Sequence, residues 1–269
     1  MKKNDAVFNY YENIYDENTR LASDSLESIR TKEIISRYLR DTTLEIADIA
    51  GGAGHYSFWL AAMGHNVHLL DLSEKHIEQA KMYSERNQIH LASYSGCDAL
   101  ALPYKNEQFD IILVMGALYH LQNPEDRIQC MREAYRTLKA GGTAIFSFIS
   151  RYASLIDGYR YNFIDDKNFL KIIKNDLATG KHENPTNNPH YFTTAFFHTP
   201  QLIKEELSNS GYNDIRLFAV EGFGSLIDHQ NIMSDAPKRA IFLEHLRQTE
   251  ESPELLGVSS HMMACCNKN

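Results

Sequence analysis

The stretch from Glu45 to Gly54 constrains this chain most, because a short apolar run, EIADIA, leads directly into the glycine-rich GGAG. An apolar run of this length predicts a buried strand, and glycines let the backbone turn tightly and approach a ligand. A helix that starts after such a turn presents unpaired backbone N–H groups. The stretch therefore predicts a strand–turn–helix unit that holds a nucleotide-like ligand, or a tight turn that holds none.

Strand-like and helix-like patterns alternate along most of the chain. The run Ile111–Val114 is apolar throughout, as expected for a strand covered on both faces of a parallel sheet. We predict a doubly wound, mostly parallel, seven-stranded α/β sheet of the Rossmann type. Its strands are expected at residues 44–50, 67–70, 89–94, 111–114, 143–148, 215–220 and 259–266, and its helices at 56–63, 73–85, 124–138, 199–210 and 237–250.

The alternation divides the chain into four regions. Residues 1–43 read as N-terminal helices that cap the ligand site, and residues 44–150 as the ligand-binding core. Residues 151–198 hold many aromatics, no clear strand and the turn-rich run NPTNNP. We expect a helical and loop insertion there that forms a lid over a substrate, with a structural cap or a dimer surface as alternatives. Residues 199–269 then complete the sheet.

Composition excludes several classes of protein. The 27 Lys and Arg against 35 Asp and Glu give a net charge of −8, which disfavours a nucleic-acid partner. The four cysteines form no C-x-x-C pair, which argues against a zinc site and fits a reducing cytoplasm. No run is apolar enough for a membrane span. We expect a cytoplasmic protein without a membrane partner; its oligomeric state is open.

The glycines do not follow the G-x-G-x-x-G register of dinucleotide-binding turns. They fit D-x-G-x-G-x-G, with Asp48 as the acid and Ala50 in place of the first glycine. Asp71 ends the second predicted strand, where a carboxylate accepts hydrogen bonds from a ribose diol or caps the next helix. Asp98 follows the third strand, where it either accepts an adenine amine or serves as an ordinary loop acid.

Together these motifs resemble the class I S-adenosylmethionine-dependent methyltransferases, densely over residues 44–150. The residues that carry the resemblance are Asp48, the glycines, Asp71, Asp98, Leu102-Pro103, Phe109-Asp110, Tyr119-His120 and the run from Leu138 to Gly142. The remainder resembles an uncharacterised small-molecule branch through Ser150–Ser154, Asn184–Thr186, Tyr191–Ala195, Phe197-His198 and Glu221-Gly222. Ala50 departs from the family, which usually has glycine there.

The resemblance implies S-adenosylmethionine as cofactor, with S-adenosylhomocysteine as product. The cofactor residues that it implies, or that we infer beside it, are Tyr11, Arg30, Asp48, Ala50, Gly51, Gly52, Gly54, Asp71, Leu72, Cys97, Asp98, Ala99, Met115 and Gly116. Aromatic faces favour cations and arginines suit carboxylates, so Tyr11, Arg20 and Arg30 are candidates in the N-terminal cap. The alternative for these three is a packed aromatic helix with surface arginines.

Two residues are candidates for catalysis. His120 follows the strand that carries Met115, and its ordinary pKa suits proton abstraction near neutrality; the alternative is a structural histidine. Arg151 begins the insertion. We expect the acceptor to contact Tyr119, His120, Arg151, His190, Tyr191 and His198. The spacing of the histidines in the insertion matches no metal-ligand pattern, so we assign no metal.

The sequence therefore predicts a methyltransferase that moves a methyl group to a small organic acceptor by in-line displacement. The alternatives are an NAD(P)-dependent Rossmann oxidoreductase and a non-catalytic cofactor-binding protein. An RNA methyltransferase is disfavoured by the net charge of −8. The identity of the acceptor and the atom methylated stay open.

Overall fold

A computed structural model describes residues 25–186 and 188–269. Its centre is a seven-stranded sheet in the order β3-β2-β1-β4-β5-β9-β8, in which β9 is antiparallel to β5 and to β8 and the other neighbouring pairs are parallel. The strands are β1 Glu45–Ile49, β2 Asn66–Asp71, β3 Ser93–Gly96, β4 Phe109–Val114, β5 Leu138–Ile149, β8 Asn213–Ala219 and β9 His261–Asn267. The predicted doubly wound, mostly parallel fold is confirmed.

Helices cover both faces of this sheet, so each central strand is buried on both sides. The helices are α1 Leu26–Ser36, α2 His55–Ala62, α3 Glu74–Asn87, α4 Pro124–Thr137, α5 Ala153–Arg160, α6 Lys167–Thr179, α7 Pro200–Asn209, α8 Gln230–Ser234, α9 Ala236–Thr249 and α10 Pro253–Leu256. One core contains buried residues of α1, α2 and α3, and the other contains those of α4 and α7. This two-sided burial explains the apolar run in β4.

Two strands differ from the sequence prediction. The apolar run near Ile89 predicted β3 too early: Leu91 is buried in the connection before the strand, and β3 itself is a partly exposed edge strand. Strand β5 begins five residues earlier than expected, directly after α4. Gly141 has a left-handed φ of 72°, and a β-carbon on Gly142 would lie 2.9 Å from the Asp110 carbonyl oxygen. The two glycines therefore form an irregularity inside β5 and do not precede it.

Residues 151–198 fold as helices α5 and α6 followed by loops and the two-residue strands β6 Lys181–His182 and β7 Ala195–Phe196. No strand was expected here, and such short runs carry no periodic signal. Helices α5 and α6 pack closely at Gly158, where a β-carbon would lie 2.8 Å from Ile173. Phe169 and Tyr191 are buried in the same cluster. The insertion thus has a small apolar core of its own.

Among the residues described, no helix combines the length and the apolar character that crossing a bilayer requires.

Candidate active site

The predicted ligand-binding residues meet at one edge of the sheet. The glycine turn follows β1, Asp71 ends β2, Cys97–Ala99 follow β3 and Met115-Gly116 follow β4. Because these four strands are neighbours and parallel, their carboxyl ends converge. The edge is therefore one continuous surface built from four loops.

The turn after β1 requires unusual backbone angles. Ala50, Gly52 and Gly54 have φ values of 54°, 57° and 89°, in the region that favours glycine. A β-carbon placed on Gly116 would lie 2.7 Å from the Ala50 carbonyl oxygen. The turns after β1 and β4 thus touch through their backbones, and Gly54 directly precedes α2. This arrangement leaves little room for side chains at the turn, and the backbone N–H groups of Gly51, Gly52 and Gly54 donate to Leu70, Asp71 and Gly51.

Asp48 lies beneath this turn and is fully buried. Its carboxylate accepts a hydrogen bond from the Ser57 hydroxyl at 2.7 Å. A β-carbon on Gly51 would lie 2.6 Å from the same carboxylate. The interpretation of Asp48 as a residue in contact with the cofactor is corrected: its carboxylate supports the turn from inside the protein.

Asp71 joins the turns after β1 and β2. One carboxylate oxygen accepts the backbone N–H of Gly52 at 2.9 Å; the other accepts the N–H of Ser73 at 2.9 Å and faces Nδ1 of His76 at 3.2 Å. A carboxylate offers about four lone-pair directions, so after these three contacts Asp71 can still accept from one hydroxyl of a ribose. His76 is a contact that the sequence reasoning missed.

The loop after β3 continues this edge. The backbone N–H of Cys97 donates to the Asp71 carbonyl, and the Asp98 carboxylate accepts the N–H of Leu100 at 3.0 Å. Cys97, Asp98 and Ala99 are half-buried, and burial raises the pKa of the Cys97 thiol to about 11. Leu72 is exposed beside Asp71. Leu72 and the residues Cys97–Ala99 are therefore all at least partly exposed close to Asp71.

Arg30 takes a different role from the one expected. Its guanidinium is fully buried, pairs with Glu33 and Glu250, and donates to the Val220 carbonyl. All three nitrogens have protein partners, so the assignment of Arg30 to a cofactor carboxylate is corrected: it joins α1 to the end of α9. Tyr11 and Arg20 lie outside the described residues, and their roles stay predictions.

His120 lies in a short helical turn after β4. Its Nδ1 lies 3.2 Å from the Thr194 carbonyl oxygen, and its ring stacks against Phe192 at 5.9 Å. Burial lowers the pKa of His120 to about 4, although the Thr194 carbonyl and the charge of Asp71 oppose this shift. The imidazole is therefore neutral at pH 7. Phe192 itself has φ 62° and ψ −171°, a strained conformation for any residue other than glycine.

A cavity of about 320 Å³ lies between the sheet edge and the insertion. This volume suits a small organic molecule. Tyr119 lines it, and the Tyr119 hydroxyl lies 3.8 Å from the β-carbon position of Gly116. Its aromatic wall consists of Tyr119, Phe163, Phe169, Tyr191, Phe192 and Phe197, and its polar groups of Ser154, Asp157, His182, His190, Ser260 and His261. Of the residues expected to contact the acceptor, Tyr119, His190 and Tyr191 line this cavity. His120 is not among the lining residues, but its ring lies against those of Tyr119 and Phe192, which are.

His198 and Arg151 do not line this cavity. His198 is fully buried, and its Nε2 lies 3.2 Å from Glu206, which also pairs with Arg127. Arg151 donates to the Phe197 carbonyl at 2.9 Å, and burial lowers the pKa of its guanidinium. The expected contacts of these two side chains with an acceptor, and the catalytic role of Arg151, are corrected: His198 connects the insertion to α7, and Arg151 joins the beginning of the insertion to its end.

Sequence reasoning missed the polar end of the cavity. The Nδ1 of His261 lies 2.6 Å from Glu221, which also accepts from the backbone N–H of His261 and from the Ser259 hydroxyl, both at 2.9 Å. The atoms of Glu27, Glu221 and His261 that could ligate a metal ion lie within 4.8 Å of one another. The direct contact between His261 and Glu221 is a hydrogen bond, so we assign no metal to this group. Only the topology, which pairs Ile149 with His261, brings them to the cavity.

Comparison with known proteins agrees with this geometry. A family model described as a methyltransferase domain matches residues 47–146. A ubiquinone/menaquinone biosynthesis C-methyltransferase of Ruegeria is 28% identical over 174 residues, which is 52% of this chain and 68% of that protein. A ubiquinone biosynthesis O-methyltransferase of Roseobacter denitrificans is 32% identical over 40% of this chain and 42% of its own length. Apart from the Ruegeria protein, the chain spans about half the length, or less, of the first curated relatives that it matches.

Among solved structures, the phosphoethanolamine N-methyltransferase 2 of Haemonchus contortus in complex with S-adenosylmethionine has a TM-score of 0.60. It is 14% identical, and the match covers 97% of this chain and 59% of that one. At this identity the similarity shows the fold alone.

Proposed function

We propose that this chain, whose residues 47–146 match a methyltransferase-domain model, is a class I S-adenosylmethionine-dependent methyltransferase that methylates a small organic acceptor held in the cavity beside Tyr119. The observation that carries the proposal is the contact between two sites: Tyr119 lines the cavity, and its hydroxyl lies 3.8 Å from the β-carbon position of Gly116 at the glycine turn. An acceptor in the cavity therefore reaches the edge on which a cofactor would lie. The comparisons give no support to the oxidoreductase alternative.

The residues at the edge fit S-adenosylmethionine. The left-handed backbone at Ala50, Gly52 and Gly54 and the close approach of Gly116 leave a cradle whose own side chains are no larger than a methyl group. We assign the methionine part to Ala50, Gly51, Gly52 and Gly54, the ribose to Asp71, the adenine to Leu72, Cys97, Asp98 and Ala99, and the reactive end to Met115 and Gly116. The bound cofactor supplies an electrophilic methyl group, so the protein's task is alignment.

His120 is the base in this proposal. The Thr194 carbonyl can only accept, so Nδ1 carries the proton and the lone pair is on Nε2. With its pKa lowered to about 4, the imidazole is neutral and able to accept a proton from the acceptor at physiological pH. Tyr119 and Phe192 flank the same ring and orient it. Such a base matters only for an acceptor that loses a proton on methylation.

Residues 151–198 act as the lid in this proposal, since they supply most of the aromatic cavity wall. The names of the curated relatives refer to quinone biosynthesis, which supports a small acceptor with an aromatic body but does not identify it. Four free thiols, three of them buried, support a reducing cytoplasm as the place of action.

Calorimetry tests the proposal directly. S-adenosylmethionine and S-adenosylhomocysteine are expected to bind with micromolar or tighter affinity, and NAD(P) is not. Binding of NAD(P) without binding of S-adenosylhomocysteine would refute the proposal. A metabolite extract incubated with cofactor and protein should then yield a product heavier by one methyl group.

A further inference from the structure

The cavity has an aromatic wall and an acidic end. Of the described residues that line it, none is a lysine or an arginine, and its carboxylate is that of Asp157 on α5. His261 lines the same end, and behind it lies Glu221. An anionic ligand would therefore meet the Asp157 carboxylate, and no lysine or arginine of the described lining would pair with it.

Asp157 is the unusual group. Within the described part of the chain its half-buried carboxylate makes no hydrogen bond and no ion pair. Burial raises its pKa to about 6, while His261 and Arg160 lower it and Glu221 raises it. The Arg160 guanidinium is held away, since it donates to the Ser225 carbonyl at 3.2 Å. A buried carboxylate without a partner is costly unless a ligand supplies one.

The pair of His261 and Glu221 does not neutralise the negative charge of Asp157. Burial raises the pKa of Glu221, but the His261 side chain and backbone and the Ser259 hydroxyl outweigh it and hold that pKa below its ordinary value. Glu221 is therefore ionised and takes up the charge of His261 if this residue is protonated. Asp157 keeps its negative charge toward the cavity.

We propose that the acceptor is a small organic amine, bound as a cation with its ammonium group at Asp157 and its apolar body against the rings of Tyr119, Phe163 and Phe192. The ammonium form has no lone pair, so methylation of this nitrogen requires that it first pass a proton to the Asp157 carboxylate; the amine then takes the methyl group and S-adenosylhomocysteine leaves. An ammonium group offsets the desolvated carboxylate, and aromatic faces attract cations. The inference rests on the proposed function, because it takes this cavity as the acceptor site. It narrows the acceptor class and disfavours carboxylates, phosphates and phenolates.

Three probes that share the same phenylethyl group and differ only in the polar group test this inference: phenethylamine, 2-phenylethanol and 3-phenylpropionate. Each is titrated by calorimetry into the full chain saturated with S-adenosylhomocysteine. The Kd of the amine is expected to be at least about 10-fold lower than that of the alcohol, and the carboxylate should have the highest Kd. Equal affinity of amine and alcohol, or a tighter carboxylate, would overturn the inference. This ranking uses the wild-type protein, so it does not depend on whether a variant folds.

Two variants locate the effect. Asp157→Asn is expected to abolish the preference for the amine while leaving affinity for the alcohol unchanged. Glu183→Gln removes one exposed acid of the same insertion outside the cavity and should leave the preference intact. An undiminished preference in Asp157→Asn would refute the role of Asp157. Failure of S-adenosylhomocysteine to bind would instead refute the proposed function, so the two failures are distinguishable.

Discussion

The Nδ1 of His120 lies 3.2 Å from the carbonyl oxygen of Thr194. His120 belongs to the edge of the sheet and Thr194 to the insertion, so the insertion determines which ring nitrogen carries the proton. The proposed base is thus oriented by a segment far away in sequence. The two ring nitrogens of His120 therefore have different roles: Nδ1 bonds to the insertion, and Nε2 is the atom that would accept a proton.

Two substitutions of His120 use that separation. The amide nitrogen of His120→Asn takes the place of Nδ1 and retains the donor to Thr194 but has no group at Nε2; His120→Ala loses both. If His120 is the base, both variants should lose about 10²-fold or more in kcat with S-adenosylhomocysteine affinity unchanged by calorimetry. If Asn retains activity and Ala does not, His120 is structural.

The Asp71 carboxylate provides a test of the cofactor site. Asp71→Asn removes its charge, and we expect S-adenosylhomocysteine to bind more weakly by about 1–3 kcal/mol. Asp110→Asn is the matched control, because Asp110 accepts the backbone N–H of Glu45 and pairs with Lys139 away from the site. Calorimetry should show a change in Asp71→Asn alone; equal losses in both variants would point to a general loss of stability.

The sheet could be predicted because its signals are local. The apolar run of β4, the serine cap before α3 and the proline that begins α4 each specify their own element. Edge strand β3 could not be placed, since Leu91 is apolar and buried but lies outside it. Runs of apolar residues locate strands that are covered on both faces, such as β4, but not a partly exposed edge strand such as β3.

The candidate site was predictable only in part. Parallel strands bring Asp71 and the glycine turn together, so their proximity follows from the fold. Whether a polar side chain faces a cavity or another side chain depends on packing between distant segments. The sequence around Arg30 and His198 therefore did not reveal their buried partners, Glu250 and Glu206. Nor did it reveal that Asp157 lines the cavity.

Ala50 lies at a backbone position that favours glycine. Its φ of 54° lies in the left-handed region, which costs an L-residue about 1 kcal/mol or more relative to glycine. We expect Ala50→Gly to raise the free energy of unfolding by up to about 1 kcal/mol, measured in urea, part of the gain being offset by the freer unfolded chain. Ala50→Val should lower it by about 2 kcal/mol, since a β-branched residue fits this region worse. The opposite order would show that the turn adopts another conformation.

Asp157 makes stability depend on pH with a definite sign. Its folded pKa of about 6 exceeds the ordinary 3.8, so between these values the folded state holds a proton that the unfolded state has lost. Stability from this group therefore falls as pH rises from 4 to 6. Asp157→Asn lacks this effect, so at pH 7.5 it should be more stable than wild type by about 3 kcal/mol, and near pH 4 by less than about 1 kcal/mol.

Urea unfolding at the two pH values measures this difference, and the difference between variants cancels other titrating groups such as His120. Exposed Glu183 provides the control: Glu183→Gln should show no such dependence on pH. A difference for Asp157→Asn that stays constant between pH 4 and 7.5 would show that its carboxylate is not desolvated.

Arg127 holds together the core, the His120 loop and the insertion. It donates to both oxygens of Glu206 and, at 2.9 and 3.0 Å, to the carbonyls of Leu121 and Gln122, and it lies 3.8 Å from the centre of the Phe196 ring. Arg127→Met leaves the Glu206 carboxylate buried beside His198, so we expect a loss of about 3–5 kcal/mol in urea unfolding.

The double variant Arg127→Met/Glu206→Gln tests whether that loss comes from the uncompensated charge. Removing the charge should recover part of the stability, because the amide is cheaper to bury than a carboxylate. Activity should not recover with it, since the carbonyls of Leu121 and Gln122 still lack their donor and the loop that begins with Tyr119 and His120 stays loose. Recovery of both together would mean that Arg127 serves stability only and does not position the proposed base.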